Sequence, residues 1–182
     1  MFMFNGFTIC GFFTLAVLTL SVIAHVATFM PGVPISMSQV WPMHLGAMAS
    51  LFLFIFGMKA PFVKARMAAD GIPPRDMMRL MRLYTPLLLR WFCTATFVYV
   101  LINFGLFMYW TVGDGNPVAI NGHYELRQKG SPPKIITQQD FDQRQAIIVR
   151  GFSGHWIVMS LYSTVFFLVS ASSIRSGYRR SY

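Results

Sequence analysis

Four long apolar segments, nearly free of charged residues, constrain this chain more than any other feature. They cover about residues 7–30, 41–58, 87–111 and 152–173. A helix needs about 20 residues to cross the roughly 30 Å hydrocarbon layer of a bilayer, and four such helices with their connectors nearly use up the chain. The sequence therefore predicts an all-α membrane protein, a four-helix transmembrane bundle that forms a single domain.

Composition argues against the other broad classes of protein. Hydrophobic residues make up 55% of the chain and charged residues 12%, about half the charged fraction of an ordinary soluble domain. A disordered chain needs low hydrophobicity, and a disulfide scaffold needs more than two cysteines. The first segment exceeds the roughly 7–15 apolar residues of a cleaved signal peptide, so we expect it to remain as the first helix.

The distribution of positive charge predicts the threading of the chain. A formal charge of +9 would suggest a nucleic-acid partner in a soluble protein. Here ten of the 15 basic residues lie in residues 59–90 or in the C-terminal tail, and five lie in residues 113–151. Cytoplasmic connectors carry the excess of Lys and Arg. We expect a multi-pass protein of the plasma (inner) membrane with both termini in the cytoplasm, and no nucleic-acid partner.

The connector of residues 59–86 contains an amphipathic pattern. Arg75, Arg79 and Arg82 share one side of a short segment whose other side is apolar. Such a helix lies at a lipid surface with its arginines among anionic headgroups. Docking on a cytoplasmic partner is the alternative interpretation.

The connector of residues 113–151 is the sizeable polar part of the chain. Alternating residues around Tyr124 and a later Ile135-Ile136 pair predict a short β-hairpin. Thr137 with Asp140 resembles a capping box and predicts a helix that begins there. We expect a small extracytoplasmic loop subdomain between the third and fourth helices.

Gly46 and Ser50 predict a helix-packing site in the second segment. They are four residues apart and therefore share one helix face. Two small residues at this spacing allow another helix to approach closely.

Three histidines near the outer ends of three segments are candidate cofactor ligands. His25, His44 and His155 fall at similar depths on separate helices, which is what a haem or metal site inside a bundle requires. The alternative is that each imidazole bonds to water, a hydroxyl or a carbonyl group. In architecture alone the chain resembles bacterial cytochromes b of the four-helix kind, and that resemblance implies a b-type haem.

Copper is a second candidate ligand. Met43 neighbours His44, and together with His25 these residues offer the thioether and imidazole groups that soft Cu(I) accepts. Methionines in an apolar chain also serve as packing residues that fill irregular gaps.

Sequence signatures of enzymes are missing from the chain. It contains no G-x-S-x-G, H-E-x-x-H, Walker or dinucleotide-binding motif. We therefore expect a non-catalytic accessory or anchoring subunit of a larger membrane assembly, with other membrane subunits as partners and no cofactor. A redox subunit with one b-type haem near the outer face is the alternative, and copper handling is the second alternative.

Overall fold

The apolar runs of the sequence are helices in the structure, which is a computed structural model. The structure describes residues 2–30, 32–73, 75–111, 115–120, 122–128 and 130–170, with side chains from residue 6. The helices are α1 (Phe2–Ala27), α2 (Met37–Met58), α3 (Pro61–Ala69), α4 (Met77–Tyr84), α5 (Leu87–Thr111) and α6 (Gln138–Val165), which a π-helical turn (Phe166–Ser170) continues. Four of them, α1, α2, α5 and α6, are long and apolar enough to cross a membrane.

Helix α6 is the centre of the molecule. In its apolar stretch 61% of the residues are buried, compared with 17–28% in the other three long helices. It packs on α1, α2 and α5, and α1 also packs on α2, whereas α5 packs mainly on α6. Small residues such as Gly151, Ser160 and Ser163 line α6, and small side chains let neighbouring helices approach closely.

The two ends of the long helices are built differently. The end at which α1 and α5 finish and α6 begins carries three strands, and we call it the strand end. The opposite end carries α3, α4 and the π-helical turn, and we call it the α4 end.

The fourth long helix begins well before residue 152, where the apolar run starts. Thr137 is its N-cap and accepts a hydrogen bond from the backbone N–H of Asp140 at 3.1 Å, as the capping pattern predicts. The helix then passes through Gly151 without a break. A side chain at Gly151 would lie 2.4 Å from Cγ of Phe107, so this glycine allows α5 to approach and does not act as a hinge.

Helix α2 also begins earlier than residue 41. The backbone N–H of Ser36 donates to Oε1 of Gln39 at 2.9 Å and closes the first turn. Farther along, a Cβ added at Gly46 would lie 3.2 Å from Val17 of α1. Ser50 is fully buried, and its carbonyl oxygen accepts a hydrogen bond from Ser163 of α6 at 2.8 Å. The two small residues therefore lie where α2 meets α1 and α6.

The amphipathic helix α4 packs on the protein itself. Its residues Leu80 and Met81 are buried against α3 and the aromatic rings of Phe166 and Phe167. Arg79 and Arg82 of this helix, and Arg75 just before it, are exposed. The sequence does not predict α3. For that reason the sequence alone does not indicate that the apolar face of α4 packs on another helix of the same protein.

A hydrogen-bonded group joins α3 to α4. Arg66 pairs with Asp70 at 2.8 Å, and the Tyr84 hydroxyl donates to the same carboxylate at 2.8 Å. Burial raises the pKa of Tyr84, and the hydrogen bond to Asp70 adds to that rise. The phenol therefore stays protonated and keeps donating at neutral pH.

The strand end carries a three-stranded antiparallel sheet in the order β1 (Asn116–Ile120), β2 (His123–Arg127) and β3 (Lys134–Ile136). Strands β2 and β3 form the predicted hairpin, with Tyr124 opposite Ile136. The ring of Tyr124 lies 4.7 Å from that of Phe141 and packs the sheet on α6. The sequence does not predict strand β1, since Pro117 is unusual in a strand. The proline is tolerated here because β1 is at the edge of the sheet.

Some residues on which the sequence analysis relied lie outside the described ranges. They are Lys129 and the C-terminal arginines, namely Arg175, Arg179 and Arg180.

Candidate functional site

A group of polar side chains at the strand end ties α1, α5 and α6 together. We call it the Arg150 cluster, and its members are His25, Thr28, Tyr99, Asn103, Arg150 and Ser153. It lies at the level where the apolar part of α6 begins. The first two members belong to the end of α1, the next two to α5 and the last two to α6.

His25 is the centre of a hydrogen-bonded chain. Ser153 donates to the carbonyl of Arg150 at 3.2 Å, so its oxygen is left to accept from Nδ1 of His25 at 2.7 Å. The other ring nitrogen, Nε2, then accepts a hydrogen bond from the Tyr99 hydroxyl. His25 and Ser153 are both buried. The imidazole therefore uses both nitrogens to hold three helices together.

Arg150 joins α6 to the end of α1. Its Nε donates to Oγ1 of Thr28 at 3.1 Å, and its Nη2 donates to the Thr28 carbonyl at 2.6 Å. The guanidinium also lies 3.9 Å from the centre of the Phe29 ring, a cation–π contact. No carboxylate of the described residues pairs with it. Neutral acceptors and an aromatic ring thus stabilise this charge.

Asn103 completes the cluster from α5. Its side-chain amide donates to the carbonyl of Arg150 at 2.9 Å. A Cβ added at Gly154 would lie 2.9 Å from that amide nitrogen, so the glycine leaves room for it. A single asparagine in the apolar part of α5 is consequently buried and satisfied.

An open cavity of about 1130 Å³ adjoins the cluster. Thr28, Phe29 and Arg150 form part of its wall, and Trp110 lies on another side. The first turns of α6 contribute amides, carboxylates and an arginine, namely Gln138, Gln139, Asp140, Asp142, Gln143 and Arg144. The cavity is therefore polar and of mixed charge at the start of α6 and aromatic elsewhere.

The other two predicted ligands lie apart from His25. His44 accepts a hydrogen bond at Nδ1 from the indole of Trp156 at 3.1 Å. His155 donates from Nδ1 to the carbonyl of Gly151 at 3.0 Å, and its ring contacts Phe104. His25 and His44 bond to Ser153 and Trp156, which share one face of α6, whereas His155 bonds to the backbone of α6 itself. The three histidines therefore do not share a set of partners.

Within the part of the chain that the structure describes, no three His, Cys, Asp or Glu side chains are grouped as metal ligands would be. Met43 is half-buried on α2 close to Gly46. Copper binding by His25, His44 and Met43 stays a prediction.

The sequence analysis missed the role of Arg150, Tyr99 and Asn103. Arg150 was assigned to a connector because the apolar run starts after it. A signal was present: Tyr99 and Asn103 are four residues apart, and Arg150 and Ser153 are three apart, so each pair shares one helix face. Polar pairs at these spacings in two apolar helices indicate facing surfaces that bond to each other.

Comparison of the chain with models of protein families, with curated proteins and with solved structures finds no match. Functional conclusions therefore depend on the geometry of this chain.

Proposed function

We propose that this chain is a non-catalytic accessory or anchoring subunit of a larger membrane assembly. The observation that carries the proposal is the free face of α5. Five large side chains at helical spacing are exposed along it: Leu88, Phe92, Ile102, Leu106 and Tyr109. This helix has the lowest buried share of the four, 17%. It offers an apolar and aromatic surface along the whole depth of the membrane, and aromatic residues are enriched at protein interfaces.

The polar interior supports the same proposal. His25, Tyr99 and Ser153 bond to one another, and Arg150 bonds to Thr28. These groups hold helices in place: His25, Tyr99 and Ser153 do not line the open cavity, and Thr28 and Arg150, which do line it, bond to each other. The chain is thus suited to keep a rigid shape while another subunit packs on α5.

We propose that the α4 end faces the cytoplasm of a plasma membrane and that both termini lie on that side. The exposed arginines Arg75, Arg79 and Arg82 at this end support the placement, because cytoplasmic segments carry the excess of positive charge. The strand end then projects outward. Protease added outside intact cells should cut near Gly130, between β2 and β3, and spare Gly71 near α3. Cleavage at Gly71 alone would contradict the orientation.

A matched pair of photo-crosslinking positions tests the accessory role. Ile102 of α5 and Ile23 of α1 are exposed to the same degree, 60% and 58%. A photoreactive residue at position 102 should give a discrete protein adduct in native membranes, whereas one at position 23 should give only lipid adducts. A chain that gives no protein adduct at position 102 and purifies alone in mild detergent would contradict the proposal.

A second candidate function, a redox subunit with one b-type haem, is favoured by the state of His155. Its Nδ1–H donates to a backbone carbonyl, so the lone pair of the ring is at Nε2. Histidines that ligate metals typically show this arrangement. His25 differs because both of its ring nitrogens are engaged.

A difference spectrum distinguishes the two functions. Reduced minus oxidised absorbance of the purified protein should show a haem band if the second function holds, and His155→Ala should remove it. His123→Ala, in the sheet, is the control and should leave the band unchanged. A colourless protein from haem-replete cells would exclude the redox function.

A further inference from the structure

A groove at the α4 end has the chemistry of a lipid site. It lies between α4, α5 and α6 and has a volume of about 480 Å³. Phe54, Met81, Cys93 and Val165 form much of its apolar lining. Two arginines, Arg82 of α4 and Arg90 of α5, also line it, and none of its lining residues is acidic. One continuous surface thus combines two positive charges with an apolar floor.

Arg90 is the feature of this groove that lacks an explanation within the protein. Its Nε is shielded from solvent and has no hydrogen-bond partner among the described residues. A guanidinium N–H that loses water without gaining an acceptor is destabilising. The favourable arrangement for Arg90 therefore includes an acceptor from beyond the residues that the structure describes.

We propose that the groove binds an anionic phospholipid of the leaflet at the α4 end. Arg82 and Arg90 hold the phosphate, and an acyl chain lies along Phe54, Cys93 and Val165. Arginine suits this role because its planar set of N–H donors matches phosphate oxygens. The proposal depends on the chain being in a membrane and is independent of the accessory role.

Three observations select a phospholipid as the occupant. The groove is apolar below its two arginines, which a free phosphate would not need. Helix α5 packs mainly on α6, and Phe54 of α2 lines the groove from the other side, so the groove is an open gap between α2 and α5. Trp91 lies at the groove beside Arg90, at the first turn of α5, where indole rings favour the headgroup level.

Native mass spectrometry of the full chain in mild detergent tests the proposal. Phosphatidylglycerol and phosphatidylcholine, with identical acyl chains, are titrated separately. The variant Arg82→Gln with Arg90→Gln is compared with a control, Arg75→Gln with Arg79→Gln. Both variants lose two positive charges, but the control loses them from exposed positions outside the groove.

The wild type and the control should bind one phosphatidylglycerol about tenfold more tightly than phosphatidylcholine, and the groove variant should lose about tenfold in affinity for phosphatidylglycerol. Equal losses in the two variants would overturn the proposal, because they would reflect surface charge alone. Equal affinity of the wild type for the two lipids would also overturn it. Displacement of the lipid by the same concentration of inorganic phosphate would show a phosphate site and overturn it as well.

A second pair of variants tests the shape of the groove without changing its charge. Thr94 lines the groove, and Ala95 is exposed beside it on α5. Thr94→Trp should fill the groove and weaken binding of phosphatidylglycerol about tenfold, whereas Ala95→Trp should not. Unchanged binding in Thr94→Trp would overturn the proposal even if the arginine variants failed to fold. Failure of the photo-crosslinking at Ile102 would leave this result untouched.

Discussion

Arg150 and Arg90 are at opposite ends of the molecule and have opposite surroundings. Arg150, at the strand end, donates twice to Thr28 and lies on the ring of Phe29. Arg90, at the α4 end, has a buried Nε with no partner among the described residues. A guanidinium near the end of an apolar helix can be stabilised from within the protein or by a ligand. The first arginine is thus a structural tie, and the second marks a binding site.

The two ends also differ in what holds the helices together. At the strand end the tie is polar, since His25, Arg150 and their partners link three helices. At the α4 end the main tie is apolar, since Phe166 and Phe167 pack with residues of α3 and α4, and the polar group of Arg66, Asp70 and Tyr84 joins only those two short helices. Hydrogen bonds at the strand end depend on direction, so substitutions there are poorly tolerated. Apolar packing at the α4 end does not use nearby charged groups such as Arg90, which stay available to bind a ligand.

The largest expected effect in this comparison is that of removing the strand-end arginine. Arg150→Gln loses two charge-assisted hydrogen bonds and the ring contact, so the free energy of unfolding in detergent should fall by about 2–3 kcal/mol. Arg90→Gln loses no hydrogen-bond partner among the described residues at Nε, and in lipid-free detergent its unfolding free energy should stay within about 0.5 kcal/mol of wild type. Similar losses in the two variants would remove the distinction between tie and binding site.

Close packing at the strand end predicts the second effect. Gly151→Ala places a methyl group 2.4 Å from Cγ of Phe107 and should lower the unfolding free energy by about 2 kcal/mol, because α5 must move away from α6. Gly105→Ala is the control on α5, since nothing lies within 4 Å of its added Cβ. The account would be wrong about this contact if both alanine variants were as stable as wild type.

The third effect concerns the hydrogen-bonded chain of His25. His25→Phe keeps a ring in place but loses the bonds to Tyr99 and Ser153, and it should lower the unfolding free energy by about 1 kcal/mol. His123→Ala, at an exposed position of the sheet, should change it by less than about 0.5 kcal/mol. Thermal unfolding of both variants in one detergent gives the comparison. If His25→Phe unfolded at the same midpoint as the wild type, the hydrogen bonds of His25 would contribute nothing to stability.

The smallest effect is a local pH dependence in the sheet. Arg127 donates to Glu125 at 3.0 Å, and this bond, with a further one from His123, lowers the pKa of the Glu125 carboxyl. A lowered pKa in the folded state means that the stabilisation is present above the ordinary value of about 4.5 and is lost as the pH falls below it. Amide exchange in β2 should therefore quicken as the pH falls below about 4.5. Glu125→Gln should remove that dependence, and an identical profile in the variant would refute it.

The long helices and their approximate bounds could be predicted from the sequence, because uncharged apolar length alone identifies a segment that can cross a membrane. The hairpin and the Thr137 cap were also predictable, since strand alternation and capping depend on neighbours in sequence. The true start of α2 was not, because polar residues of this helix precede its apolar run and hydropathy placed the start too late. For α6, hydropathy placed the start of the fourth segment at residue 152, although the Thr137 cap marked the true beginning of the helix.

The partners of individual side chains could not be predicted. The three histidines were expected at similar depth in the membrane. Depth alone does not determine which neighbouring helix each side chain faces. His25 faces Ser153 and His44 faces Trp156 because α1 and α2 pack side by side on α6, whereas His155 contacts Phe104 of α5. The open groove at Arg90 likewise arises from the way α5 packs mainly on α6, which is a property of the whole fold.

One measurement tests the contrast between the two arginines most directly: the shift in thermal unfolding midpoint that phosphatidylglycerol causes in the wild type, in Arg150→Gln and in Arg90→Gln. A ligand that binds the folded state raises the midpoint. The account predicts that the lipid stabilises the wild type and Arg150→Gln alike, although the latter starts from a lower midpoint, and that it has little effect on Arg90→Gln. A full lipid-induced shift in Arg90→Gln would contradict it.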